Sequence, residues 1–445
     1  MIPAVTEFMR SLPVGASAGI FLVMLTGMII LGVPVTIAVG LSSVIYMVLY
    51  GVDIRSMLES IMIPLQSFPL LGVYLFTFMG VVFETAGLSK VIVEALEPLV
   101  GRVKGGLGVV LIVGCAFYGL LTGSVAATAA AFAFILGSEM IKRGYDKEYT
   151  GALIASSSPL GAFIPPSIPA IIIATQVGGS VITMFMVGGA VGVVVMTGLI
   201  ILNLIVSYRR GYGALEKTYT TREVVVRIAK AIPLLAVPLS VLGSIYLGVF
   251  SVTEAGALGA IMSLIVAAGY GRLRDLRKVI KIFVDSGKTT AVVMFLIVAS
   301  YILSYSWSLA GINNAMLEFL LSIARSYSPY VALSILAAIL FVLGMFFDVI
   351  VLAVAWGAVV ATAFASMGFS IYHIGSIFLT GVLVGTATPP VGAAVFVAAD
   401  ALKLEVEKLI KGMKWFYVYY LVIYMLVVFV PDISLWLPKL LGLRT

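Results

Sequence analysis

Apolar runs of roughly 20 residues, the length a helix needs to cross a bilayer, recur along this sequence from its first quarter to its end. So many such segments cannot be hidden inside a water-soluble globule. Of 445 residues, 62% are apolar and 11% charged; ordinary soluble domains run about 45–50% and about 25%. With a mean hydropathy of +1.19, hydrocarbon must be the solvent for much of the surface. The 45 glycines and 17 prolines agree, since membrane helices tolerate both. The runs are too long for the alternating strands of a β-barrel. The fold class is therefore an all-α polytopic membrane protein.

Composition also removes functions. One Cys (Cys115) and one His (His373) exclude a disulfide scaffold, a Cys/His zinc site and Ser-His or Cys-His chemistry needing several such groups. There is no HExxH pattern and no Asp pair within the membrane, which speaks against an intramembrane enzyme. The net charge of +7 sits in short clusters between apolar runs, the pattern of inner-leaflet loops and not of a nucleic-acid groove. Met1 to Leu12 is mildly polar and the run after it is long, so no cleavable signal peptide is expected.

Membrane segments are expected near 17–31, 34–50, 68–85, 105–121, 124–141, 148–178, 181–207, 231–249, 252–270, 286–307, 329–343, 348–366, 371–400 and 415–430. The pairs 105–121 with 124–141 and 329–343 with 348–366 have barely a turn between members. Each reads as a re-entrant hairpin, entering and leaving on one side. Charge tests this: the loops 87–104, 142–147, 208–230, 271–288 and 401–414 then share one side and hold 22 of the 27 Lys and Arg residues. Under the positive-inside rule that side is cytoplasmic, both termini lie outside, and the hairpins enter from opposite faces. Opposite entry is what an inverted repeat would produce.

The repeat can be read directly. Pro165 lies 42 residues after Gly123 of the first tip, and Pro389 lies 45 residues after Gly344 of the second. Each half thus has a Gly-bearing tip and then a long segment broken by Pro-Pro, within 148–178 and 371–400. The implied units are 1–86, N-terminal scaffold helices; 87–207, first repeat (hairpin 105–141, broken helix 148–178); 208–311, central basic loop and scaffold helices; 312–414, second repeat (hairpin 329–366, broken helix 371–400); and 415–445, C-terminal helix.

The chemistry of the breaks matters more than their symmetry. Proline removes a backbone donor and clashes with the preceding turn, so Pro-Pro in mid-membrane frees carbonyls. Irregular backbone at that depth is costly unless it lines a cavity or binds something. Freed carbonyls with Ser or Thr hydroxyls make a hard-oxygen cage suited to Na+, while the N-terminus of the following half-helix offers a positive dipole end to an anion. Pro165 and Ser167 in the first break, and Pro389, Pro390 and Gly392 in the second, are the substrate candidates. A simple pair of kinks is the plainer alternative, less apt because each break follows a Gly-bearing tip at similar spacing.

Charged residues inside the membrane are weighed one by one. Asp348, at a hairpin tip, either binds Na+ or braces the tip by accepting backbone donors. Glu254, beginning a helix after Thr253, reads as a cap more than a substrate contact. His373 reads as an interface residue more than a proton relay, and Asp400 as a solvated helix end. Segments 88–100 and 312–326 are amphipathic and suit interfacial arms.

Several stretches stand out along the chain: Ser67-Phe68-Pro69-Leu70-Leu71, Thr122-Gly123-Ser124 with Ala127-Thr128, Lys142-Arg143-Gly144-Tyr145-Asp146, Ile164-Pro165-Pro166-Ser167-Ile168-Pro169, Thr253-Glu254-Ala255, Gly344-Met345 with Asp348, Thr388-Pro389-Pro390-Val391-Gly392 and Ser434-Leu435-Trp436-Leu437-Pro438. In them the sequence resembles the large membrane subunit of tripartite ATP-independent periplasmic (TRAP) transporters, in the wider ion-transporter superfamily. The resemblance implies an elevator-type Na+-coupled importer of an organic acid anion, with a mobile transport domain of hairpins and broken helices on a static scaffold. It further implies a small membrane subunit of about four helices, an extracytoplasmic substrate-binding protein and an inner-membrane location. Carried onto this chain, one Na+ site would use Thr122, Gly123, Ser124, Val125, Gly161, Ile164 and Pro166, and a second Gly344, Asp348, Thr386 and Thr388. The chain departs from the family at Val125, where a polar residue is usual, at Gln66, where an acid is common, and at Gly381, where Asn is common. A stand-alone carboxylate or cation/proton transporter of the same fold, without a binding protein, is the alternative; a purely structural scaffold would not need two matched helix breaks.

Overall fold

A computed structural model describes residues 2–100, 103–213, 219–273, 275–389 and 392–445. Among them every regular element is helical. Among the described residues seven helices are long and apolar enough to cross a membrane, or up to ten if each sharply bent pair counts as one span. Helix bounds follow the apolar runs closely at Val14–Ile30, Val35–Leu49, Phe68–Thr85, Val252–Gly269 and Lys414–Phe429.

Two helices begin some ten residues before the apolar run that marks them. Thr221–Tyr246 starts inside the expected 208–230 loop because Thr220 and Glu223 form a reciprocal capping box. Leu276–Leu309 starts inside the expected 271–288 loop, capped by the Asp275 carboxylate on the Arg277 N–H at 2.9 Å. Both therefore carry their basic residues on helical turns that overrun the apolar stretch. Hydropathy also gave no sign of Ile54–Leu65, an amphipathic helix packed on Leu276–Leu309.

Small residues let the membrane helices approach closely. Val252–Gly269 lies along Phe68–Thr85, where a Cβ at Gly256 would stand 3.1 Å from Leu75. Thr253 donates to the Phe68 carbonyl at 2.9 Å, and Glu254 accepts from the Ser251 N–H (2.8 Å) and hydroxyl (2.7 Å), a capping role. The N-terminal helices form a satellite core with the far end of Leu276–Leu309, around Phe21, Tyr46, Leu303 and Trp307. Lys414–Phe429 is fastened to the main body: Tyr420 donates to Ser156 O, Tyr424 to Ala337 O at 3.0 Å, and Tyr419 to Val195 O at 2.8 Å. His373 is buried and its Nε2 lies 2.9 Å from Val427 O, an interface role. Cys115 is buried and Asp400 exposed at a helix end.

Candidate functional site

The first tip joins Gly106–Thr122 to Val125–Phe132 through Gly123, in the left-handed region at φ +58°. Ser124 caps the returning helix, and the buried Thr128 hydroxyl donates to the Ser124 carbonyl at 2.7 Å. The tip rests on the first break. Lys147–Phe163 and Ile168–Val177 meet at 51°, with Ile164 extended and a cis Pro165-Pro166 bond between them. Gly119 lies so close to Gly161 that an added Cβ would strike the Gly161 backbone, and one on Gly161 would strike the Thr128 hydroxyl.

The second tip also rests on a break through a glycine contact. Gly344 ends Pro329–Gly344, and a Cβ on Gly385 would stand 2.5 Å from the Gly344 carbonyl carbon. Glycine meets glycine in both halves, Gly119 on Gly161 and Gly344 on Gly385, 42 and 41 residues apart by number. This contact aligns Gly344 with Gly119, four residues before the tip glycine Gly123 that the Pro-Pro spacing suggested. Asp348 caps Val349–Ser366, accepting from the Ile350 N–H at 2.9 Å. Thr386 and Thr388 donate to Leu383 O (2.7 Å) and Val384 O (2.8 Å), leaving oxygen lone pairs. A Cβ on Gly392 would lie 2.7 Å from the Thr388 carbonyl oxygen and 3.0 Å from that of Thr386, so both carbonyls turn toward that glycine.

Tips and breaks surround one cavity of about 180 Å³. Gly123, Ser124 and Val125 line it from the first tip, Ala162, Ile168 and Pro169 from the first break. Asp348 and Ile350 come from the second tip, Thr386 and Ala393 from the second break. Asp348 is the one ionisable residue in this lining among the described residues.

Other sequence candidates lie around the cavity without lining it. Ser167 is buried and occupied as a cap, donating to Ala162 O at 2.5 Å and accepting from the Ala170 N–H at 3.4 Å. The Ile164 side chain and the Pro165 ring pack on Gly192 and Gly189 of Val181–Arg210, so Ile164 could offer an ion only its carbonyl. The Pro166 carbonyl faces Gly123, 3.6 Å from where a Cβ would sit. Pro389 lies in the second break, while Pro390 and the Thr122 side chain lie outside what the structure describes.

Sequence reasoning missed the remaining wall, Val292, Val293 and Leu296 of Leu276–Leu309. Valines and leucines in an apolar run carry no sign of facing a cavity. Thr128 was legible four residues after Ser124, at the spacing where a helical hydroxyl reaches back to a carbonyl. Ser156 and Thr380 were missed too: each stands five residues before its contact glycine, Gly161 or Gly385, and each hydroxyl is buried without a hydrogen-bond partner among the described residues. At Gly381, a Cβ would collide with the Tyr424 hydroxyl, so that phenol occupies the space a larger residue would need.

Long apolar helices, two tips seated on helix breaks and a small, mostly apolar cavity between them that holds Ser124, Asp348 and Thr386 define a multi-pass membrane protein with a transporter-like core. The family model for the DctM component of tripartite ATP-independent periplasmic transporters matches residues 22–433, and the chain belongs to that family. The C4-dicarboxylate TRAP transporter large permease protein DctM of Vibrio cholerae is 28% identical, covering 96% of this chain and 98% of the relative. The 2,3-diketo-L-gulonate TRAP transporter large permease protein YiaN of Escherichia coli is 29% identical, covering 93% and 97%. Among solved structures, the YdaH transporter of Alcanivorax borkumensis matches at a TM-score of 0.57 and 15% identity, covering 86% of this chain and 88% of that one, a likeness of fold. The family relatives are permeases, in line with a non-enzymatic role in the inner membrane.

Proposed function

We propose that this chain is the large permease subunit of a Na+-coupled importer of an organic acid anion. It would work by an elevator movement beside a small membrane subunit and receive substrate from an extracytoplasmic binding protein. The observation that carries the reading is the convergence of both tips and both breaks on one cavity with a single carboxylate. Carbonyl and hydroxyl oxygens there suit a hard monovalent cation.

The two hairpins and breaks, with Lys414–Phe429 fastened to both halves, would form the moving body. Leu276–Leu309 would be the fixed apolar rail along which it slides, and the smooth Val292, Val293 and Leu296 surface suits sliding. We assign the basic side to the cytoplasm and both termini to the opposite face. Relatives are named for C4-dicarboxylates and 2,3-diketo-L-gulonate, so a carboxylate-bearing substrate is the class to test first.

The test is uptake by proteoliposomes holding the chain with its small subunit, using a panel of labelled dicarboxylates and sugar acids. Uptake is expected only with an inward Na+ gradient and the binding protein present. Uptake unchanged in Na+-free buffer contradicts the coupling, and uptake without the binding protein favours a stand-alone transporter.

A further inference from the structure

At the basic end of the bundle, a cavity of about 240 Å³ lies between the end of Val181–Arg210 and the start of Lys414–Phe429. Arg209 and Arg210 form its polar side, Leu202, Ile205 and Val206 its apolar side, and Trp415 its rim. Tyr419 crosses to the Val195 carbonyl and fills the space over Gly198, which ties the same two helices together. Ile201, Ile205 and Tyr208 are exposed on the same helix, so the groove opens toward the bilayer.

The charges differ in their commitments. Arg210 is held by Asp146 at 2.7 Å and by the Tyr212 hydroxyl at 3.1 Å. Arg209 makes no ion pair among the described residues. Lys414 stands over the Trp415 ring, 5.8 Å from its centroid, adding positive charge at the rim.

We propose that this groove binds an anionic phospholipid, its phosphate on Arg209 and Arg210 and its first acyl carbons along Leu202, Ile205 and Val206. A free anion would use the arginines and leave the apolar slot empty. A zwitterionic lipid would fill the slot and offer the same phosphate, but would bring its choline or amine against Arg209, Arg210 and Lys414. An anionic lipid uses both sides without that repulsion, and tryptophan at the rim suits the headgroup level of a membrane.

The test is native mass spectrometry of the full chain, purified in phosphatidylcholine micelles supplemented with phosphatidylglycerol. Selective retention of phosphatidylglycerol is expected. Arg209→Gln should weaken it about fivefold, the contribution of one basic side chain at an anionic surface. Trp415→Leu should also weaken it, while Lys278→Gln, an exposed basic residue on a distant helix, should leave it unchanged. Unchanged elution and melting in phosphatidylcholine alone show that the variants fold. Equal retention of the two lipids, or an equal loss from Lys278→Gln, overturns the proposal. Displacement by excess inorganic phosphate would overturn it as well, marking the groove as a site for soluble anions.

Discussion

Gly161 and Gly385 have no side chain because the chain crosses itself at both. Adding a Cβ at Gly385 drives it into the Gly344 backbone, which has no rotamer to yield, and at Gly161 into the Thr128 hydroxyl. Gly161→Ala and Gly385→Ala are each expected to cost about 1–3 kcal/mol by overpacking, read as a lower melting temperature. Gly287 is the contrast: it sits in a helix with nothing within 4 Å of an added Cβ, so Gly287→Ala should be neutral or stabilising by up to about 1 kcal/mol. Equal effects at all three would mean that these close contacts do not matter. Asp348 poses a different question, since its carboxylate already caps a helix. Asn caps nearly as well, so Asp348→Asn removes charge while keeping the brace. If the charge serves an ion, this variant should melt as the parent does but need several-fold more Na+ for half-maximal uptake; an unchanged Na+ dependence would leave Asp348 with the capping role alone.

The elements show what a sequence can and cannot reveal. Tips and breaks were legible because Gly, Pro, Ser and Thr act on their own backbone: Pro165-Pro166 ends a helix wherever it falls, and Ser124 caps the next one locally. The Val292 and Leu296 wall was not, because facing a cavity or facing lipid looks the same in an apolar run. The starts at Thr221 and Leu276 were hidden because charged turns lower the hydropathy that defines a span, although Thr220 and Glu223 do spell a capping box. Contact between glycines some forty residues apart is likewise invisible until the hairpin docks. The same long-range logic explains Gly381, whose neighbour Tyr424 comes from the C-terminal helix. Gly381→Asn should be destabilising, by the roughly 1–3 kcal/mol of overpacking. Trimming the partner should offset part of that, so the double variant with Tyr424→Leu should lose less than the sum of the two single losses. Strict additivity in thermal unfolding would show that the two positions do not compete for space.

For the whole molecule, the proposed site lies where charge is scarce. On the proposed topology 22 of the 27 basic residues face one side, while the polar groups of the mostly apolar cavity between the tips are Ser124, Thr386 and Asp348. A site with little fixed charge is cheaper to carry through a low-dielectric layer than one built on paired ions. On this account the cavity is the compartment that moves, and its exposure must alternate between the two faces. The chain offers a direct test, because Cys115 is its one cysteine and is buried. A single cysteine at Val125, placed in a Cys115→Ala background, can be probed with a membrane-impermeant maleimide applied to either side of oriented proteoliposomes. The account predicts labelling from both faces, with the balance shifting when Na+ and substrate are added. Labelling from one face only, under every condition, would contradict it.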